Sequence, residues 1–139
     1  MIVFFDTSAL AKRYLEEAGS ERVVQILGDA ARVGLSPLCQ IEIVSALSRR
    51  YRAQDLSLEA YRRARLLLDE DLGDFAFVQV AGEVILGALN LLEAWPLRAS
   101  DALHVASAMH WSADLFVSAD RRQCAAARGA GLQVEELTP

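Results

Sequence analysis

The sequence predicts an α/β fold, a parallel sheet covered by helices on both faces. Short apolar runs alternate with longer stretches of helical period along the whole chain, as expected of strands joined by helical crossovers. The first run, Ile2–Phe5, is apolar throughout, which suits a strand buried on both faces. The 139 residues are enough for one sizeable core and too few for two. No internal repeat, low-complexity tract or linker divides them, so one domain spanning 1–139 is expected.

The elements follow in order. After Ile2–Phe5, roughly Ser8–Glu16 reads as a helix that Gly19-Ser20 breaks. Ser20 is a candidate N-cap for a second helix with Val23, Val24 and Leu27 on one face. Val33–Leu35 is a weak short strand. Ser36-Pro37 then supplies an N-cap with proline at the first helical position. That helix carries Ile41, Val44, Leu47 and Ser48 as far as Arg52, and Ser57 opens the next, with Tyr61, Ala64, Leu67 and Leu68 apolar. Phe75–Val78 is a third strand candidate, followed by a helix over Ala81–Leu92. Ser100-Asp101 opens a helix with Leu103, Val105, Ala106 and Met109. Leu115–Ser118 is strand-like, Arg121–Arg128 helical, and Gly129 and Gly131 stop the chain before a last strand, Leu132–Val134.

Composition narrows the function. The chain is 53% hydrophobic and 24% charged, which is globular and not disordered. A formal net charge of -5 argues against a protein that coats nucleic acid with a general basic surface. Six arginines nevertheless cluster at Arg49, Arg50, Arg52, Arg62, Arg63 and Arg65. They form either the solvated faces of two helices or a local hold on a polyanion. Cys39 and Cys124 belong to no metal-ligand pattern and read as small buried hydrophobes in a reducing compartment. The opening MIVFFD lacks a basic region and is too short in apolar residues for a signal peptide or membrane span; a cytoplasmic location is expected.

In open α/β sheets, ligands bind beyond the carboxyl ends of the strands, near the switch in strand order. Asp6 ends the first strand and Asp120 follows Phe116-Val117-Ser118. Asp101 lies in the first turn of a helix, and Glu42 a turn and a half into the Ser36-Pro37 helix. Each has a purely structural reading: Asp6 as a cap, Asp101 as a charge favourable at a helix N-terminus, Asp120 as a turn residue. Glu42 is the hardest to explain so, because it sits among apolar residues with no Lys or Arg one turn away. A buried, unpaired carboxylate costs several kcal/mol, roughly, unless a cation or strong hydrogen bonds satisfy it. Four carboxylates with oxygen donors only would select a hard ion, Mg2+ or Mn2+, over zinc.

These segments resemble the PIN-domain ribonucleases, and among them the VapC toxins of bacterial toxin–antitoxin pairs. The resemblance rests on Ile-Val-Phe-Phe-Asp6-Thr7-Ser8, Ser36-Pro-Leu-Cys-Gln-Ile-Glu42, Arg98-Ala-Ser-Asp101-Ala-Leu-His and Phe116-Val-Ser118-Ala-Asp120-Arg-Arg, followed by Gly131-Leu, in order over the whole chain. It implies a PIN-like three-layer α/β/α sandwich with about five parallel strands. By position Asp6, Glu42, Asp101 and Asp120 match the family's acidic metal-site residues. Ser8 matches the hydroxyl that supports the first Asp, and Ser118 stands where Thr is commoner, with its hydroxyl kept. The resemblance further implies Mg2+-dependent cleavage of RNA leaving a 5′-phosphate, a homodimer, and a small VapB-type antitoxin whose basic tail enters the acidic pocket.

Arg98, Arg121 and Arg122 flank the acidic positions as candidate phosphate contacts, with surface ion pairs the alternative. His104 and His110 are six apart, so they make no ligand pair on a helix; His104 reads first as a structural histidine. Trp95-Pro96 reads as a packed loop, and Trp111 as closing a helix against the core. A receiver domain would need a late Lys, and the only Lys is Lys12; a haloacid-type phosphatase would need Asp where Ser8 stands. A catalytically silent PIN domain that binds RNA or protein, and a housekeeping RNA-processing nuclease, are the remaining alternatives.

Overall fold

A computed structural model describes residues 1–137. Its five strands are β1 (Ile2–Phe5), β2 (Arg32–Leu35), β3 (Ala76–Phe77), β4 (Leu115–Ser118) and β5 (Val134–Glu136). They form one parallel sheet in the order β3-β2-β1-β4-β5, with Val3 opposite both Val33 and Leu115. The helices are α1 (Thr7–Leu10), α2 (Ser20–Asp29), α3 (Pro37–Arg52), α4 (Leu58–Leu72), α5 (Gly82–Ala94), α6 (Ala99–His110) and α7 (Arg121–Gly129). Among the described residues no helix is long and apolar enough to cross a membrane.

The pleat of β1 and β4 divides the interior. Val3, Phe5 and Val117 face one core, with Leu10, Val23, Cys39, Ile43, Leu47 and Leu68 from α1 to α4. Phe4 and Phe116 face the other, with Val84, Ala88, Val105 and Ala106 from α5 and α6. Successive strand side chains point to opposite faces, so an all-apolar strand serves two cores. This is the three-layer sandwich that the alternation predicts.

Several element details differ from expectation. The helix expected over Ser8–Glu16 is one short turn, α1, tightened into a 3-10 turn at Ala11–Arg13. Ser20 is not an N-cap. Gly19, with φ 95, holds that position, while the buried Ser20 hydroxyl donates to Leu15 O and accepts from Glu17 N. In α2 the buried stripe is Val23 and Ile26; Val24 is exposed. In α3 it is Cys39, Ile43 and Leu47, and Ile41 is 66% exposed. The last strand begins at Val134, two residues later than its apolar run. The edge strand can carry Glu135 and Glu136 because Arg22 and Arg128 pair with them.

Both tryptophans close gaps that only glycine leaves. A Cβ on Gly34 would lie 2.4 Å from the Trp111 ring, and one on Gly129 2.3 Å from Trp95. Trp111 also meets Phe4 edge-on and lies under the Arg32 guanidinium.

Candidate active site

β1 connects towards β2 on one side, whereas β4 pairs on its other side, so the switch in strand order falls between β1 and β4. The carboxyl ends of these two strands deliver Asp6 and Asp120 to one cleft. Glu42 from α3 and Asp101 from α6 line the same cleft, with Thr7, His104, Gln123, Arg49 and Arg98. All four expected carboxylates therefore come together.

Asp6 is fully buried, and both of its carboxylate oxygens accept hydrogen bonds. Its Oδ1 accepts from Ala9 N at 2.9 Å, which caps α1, and from Ser8 Oγ at 2.9 Å. Its Oδ2 accepts from Ser118 Oγ at 2.6 Å, Ser8 Oγ at 2.8 Å and Gln123 Nε2 at 2.9 Å. The Ser8 and Ser118 hydroxyls thus both donate to the first Asp. Ser8 Oγ also accepts from Ala119 N and Ser118 Oγ from Asp120 N, which ties the turn after β4 to the turn after β1. Burial raises the Asp6 carboxyl above its ordinary range, against the lowering pull of Ser118, His104, Ala9 and Ser8.

Asp120 caps α7, its Oδ1 accepting from Arg122 N and Gln123 N. The reading of Asp6 as a cap is realised, whereas Asp120, expected as a turn residue, caps a helix instead; both still line the cleft. Asp101 is half-buried; desolvation and then the charge of Asp120 raise its carboxyl.

Glu42 departs from expectation. It is not an unpaired carboxylate among core residues but about one-third exposed, with a side-chain exposure of 35%. Its Oε1 accepts from Thr7 Oγ1 at 2.7 Å and lies 2.8 Å from His104 Nε2. The hydrogen bond to His104 comes first among the causes that lower Glu42 below its ordinary range, ahead of Thr7. Glu42 alone does not demand a metal, because a histidine from a helix distant in sequence already partners it. His104 is 1% exposed and serves this carboxylate, a role the sequence leaves open. Its place three residues after Asp101 is the only signal, since that spacing keeps both on one helix face.

Gln123 escapes the sequence reading altogether. It follows Asp120 by three residues, and its Nε2 donates to Asp6 and, at 3.2 Å, to Asp101 Oδ1. Arg98, Arg121 and Arg122 border a hollow with Asp101 and Asp120, while Arg49 of the α3–α4 arginine cluster reaches the main cleft. Elsewhere that cluster pairs at the surface, Arg63 with Glu59 and Arg65 with Asp69.

The donors in the cleft are oxygens of carboxylates, the set that suits a hard divalent ion. Among the described residues no three His, Cys, Asp or Glu side chains converge on a single point. Mg2+ ordinarily keeps several waters and takes only one or two carboxylates, and Asp6 and Asp101 approach closely enough to share one amide nitrogen. The residues fit such an ion.

Comparison with known proteins agrees with this architecture. No curated protein matches the chain. Similar solved structures include VapC20 of Mycobacterium tuberculosis, described as a sarcin-ricin loop cleaving toxin, at 18% identity with TM-score 0.70, covering 99% of each chain. DNA-bound VapBC from Salmonella typhimurium has 13% identity and TM-score 0.71, covering 99% of this chain and 98% of that one. A toxin-antitoxin complex from Klebsiella pneumoniae has 14% identity and TM-score 0.68, covering 96% and 95%. At these identities the likeness is one of fold. The family model for the PIN domain matches residues 3–129, a span that holds all four carboxylates, and the chain therefore belongs to the PIN-domain family.

Proposed function

We propose that this chain is a divalent-metal-dependent endoribonuclease acting as the toxin of a toxin–antitoxin pair, with Asp6, Glu42, Asp101 and Asp120 as its catalytic carboxylates. The observation that carries the reading is that four carboxylates, from four separate elements, line one cleft at the switch point of the sheet. Such a cluster is adverse by itself: burial raises Asp6, and burial followed by the charge of Asp120 raises Asp101.

A Mg2+ or Mn2+ ion held by Asp6 and Asp101, with Asp120 and Glu42 at hand, would supply Lewis acidity that acidifies a water and clamps the scissile phosphate. The chain's own residues do the rest. Ser8, Ser118 and Ala9 N fix the Asp6 carboxylate in one orientation. His104 and then Thr7 hold Glu42 below its ordinary range, which suits it to orienting a cation or water more than to storing a proton. Arg98, Arg121, Arg122 and Arg49 supply the positive charge that draws an RNA backbone over a negative floor.

The toxin role is supported by the toxins and toxin–antitoxin complexes among the similar folds. An acidic cleft with an arginine rim also suits a VapB-type antitoxin, because an antitoxin Arg can pair with the carboxylates that otherwise face metal and RNA. A second copy of the chain is the proposed dimer partner, docked on the exposed apolar residues of α5.

Incubating purified protein with single-stranded RNA tests the activity. With Mg2+ the RNA is cut to fragments bearing 5′-phosphates, and excess EDTA stops the cutting. Equal cleavage in EDTA would mean that no metal takes part in the reaction.

A further inference from the structure

Gln123 touches three of the four carboxylates. Its side-chain Nε2 donates to Asp6 Oδ2 at 2.9 Å and Asp101 Oδ1 at 3.2 Å, and its backbone N donates to Asp120 Oδ1 at 3.1 Å. The residue is 2% exposed, and its Oε1 is buried with no hydrogen-bond partner. Turning the amide over would set Oε1 against two carboxylate oxygens. The orientation is therefore dictated by the carboxylates, at the cost of an orphaned acceptor. The amide thus meets two carboxylate oxygens through its nitrogen while its own buried oxygen has no partner.

The nitrogen contacts both Asp6 Oδ2 and Asp101 Oδ1, so a divalent ion held by those two oxygens would compete with it for the same space. Mg2+ binds oxygens at about 2.0–2.1 Å, shorter than either amide contact, so ion and NH2 group cannot share the position. We propose that Gln123 is an exchangeable clamp: its amide holds Asp6 and Asp101 together, is displaced when a divalent ion bridges them, and thereby sets the affinity for that ion. Gln123 is thus a positioning residue whose loss tightens metal binding. This inference rests on the metal-dependent reading of the site.

The test is Mg2+ binding by calorimetry, with melting temperatures in EDTA and in Mg2+, for wild type and Gln123→Leu. In EDTA the variant melts lower, because two carboxylates lose their shared donor. In Mg2+ it recovers more than wild type, and its Kd for Mg2+ is about tenfold lower, the scale of one hydrogen bond to a charged group. Equal or weaker Mg2+ binding by the variant overturns the clamp alone. A wild type that neither binds Mg2+ nor is stabilised by it overturns the metal reading and the clamp with it. Should Gln123→Leu fail to fold, the side-chain amide resonances of Gln123 in wild type decide the matter. They shift over the same Mg2+ range as the stabilisation if the amide is displaced, and stay fixed if it is not.

Discussion

Asp6 shows how one residue answers two demands. As the N-cap of α1 it satisfies Ala9 N, and as a buried carboxylate it gathers Ser8, Ser118 and Gln123 around it. Desolvation opposes its charge, so each donor matters. Ser118→Ala removes the shortest of these bonds and leaves a buried anion with one donor fewer. The expected loss is about 1.5–3 kcal/mol in urea unfolding, the value of a hydrogen bond to a charged group. At this scale Asp6, Asp101 and Asp120 were legible because strand ends and helix starts mark themselves in the pattern of apolar runs. Glu42 was legible as a position but not in its surroundings. The face of α3 that packs inward is the Cys39–Ile43–Leu47 stripe, so Glu42 lies at its edge, and its partner His104 comes from α6. No local pattern reveals a contact between residues so far apart in sequence. Gln123 was invisible for the same reason, since a polar residue in the first turn of a helix normally faces solvent.

Among the elements, the first four strands and the helices opened by Ser36 and Ser57 were legible; the last strand, the start of α2 and the irregular pieces were not. Ser36-Pro37 and Ser57 start α3 and α4 as the capping rules require. The stretch after β1 breaks early because its anchors are tertiary. Tyr14 Oη donates to Asp71 Oδ2 at 2.7 Å, and the Arg13 guanidinium pairs with the same carboxylate, fastening the 3-10 turn to α4. Burial, then the bond to Asp71, pushes the Tyr14 phenol above its ordinary range. A raised folded value means that this contribution is intact below the unfolded pKa of about 10 and is lost as the pH climbs beyond it. Stability measured by denaturant should therefore fall on the alkaline side of about pH 10 in wild type, and Tyr14→Phe should flatten that fall. At neutral pH the variant is less stable by about 1.5–3 kcal/mol, because a bond to a carboxylate is lost.

For the molecule as a whole, the two-core sandwich follows from strands that are apolar on both faces, and this was readable from Ile2–Phe5 onward. The exposed side of α5 does not fit that logic. Ile85, Leu86, Leu89 and Leu92 recur at helical spacing and all lie at the surface, while the opposite side of the helix buries Val84, Ala88 and Leu91. The sequence places a helix here without assigning its faces, because the pattern cannot separate a core face from an interface face. A second copy covering this side would account for it. Light scattering should give a dimer for wild type and a monomer for Leu86→Glu, with the circular dichroism spectrum unchanged; a monomeric wild type would remove the proposed dimer.

If the carboxylates at the switch point perform the proposed cleavage, Asp6 is the sharpest place to see it. Asp6→Asn preserves size and an acceptor for the α1 cap while removing the charge. RNA cleavage in saturating Mg2+ by this variant, with folding checked by circular dichroism, is the most direct measurement. Cleavage is expected to fall by at least about a hundredfold, the scale of losing a group that stabilises the transition state. A folded Asp6→Asn protein that cuts RNA at the wild-type rate would contradict the assignment.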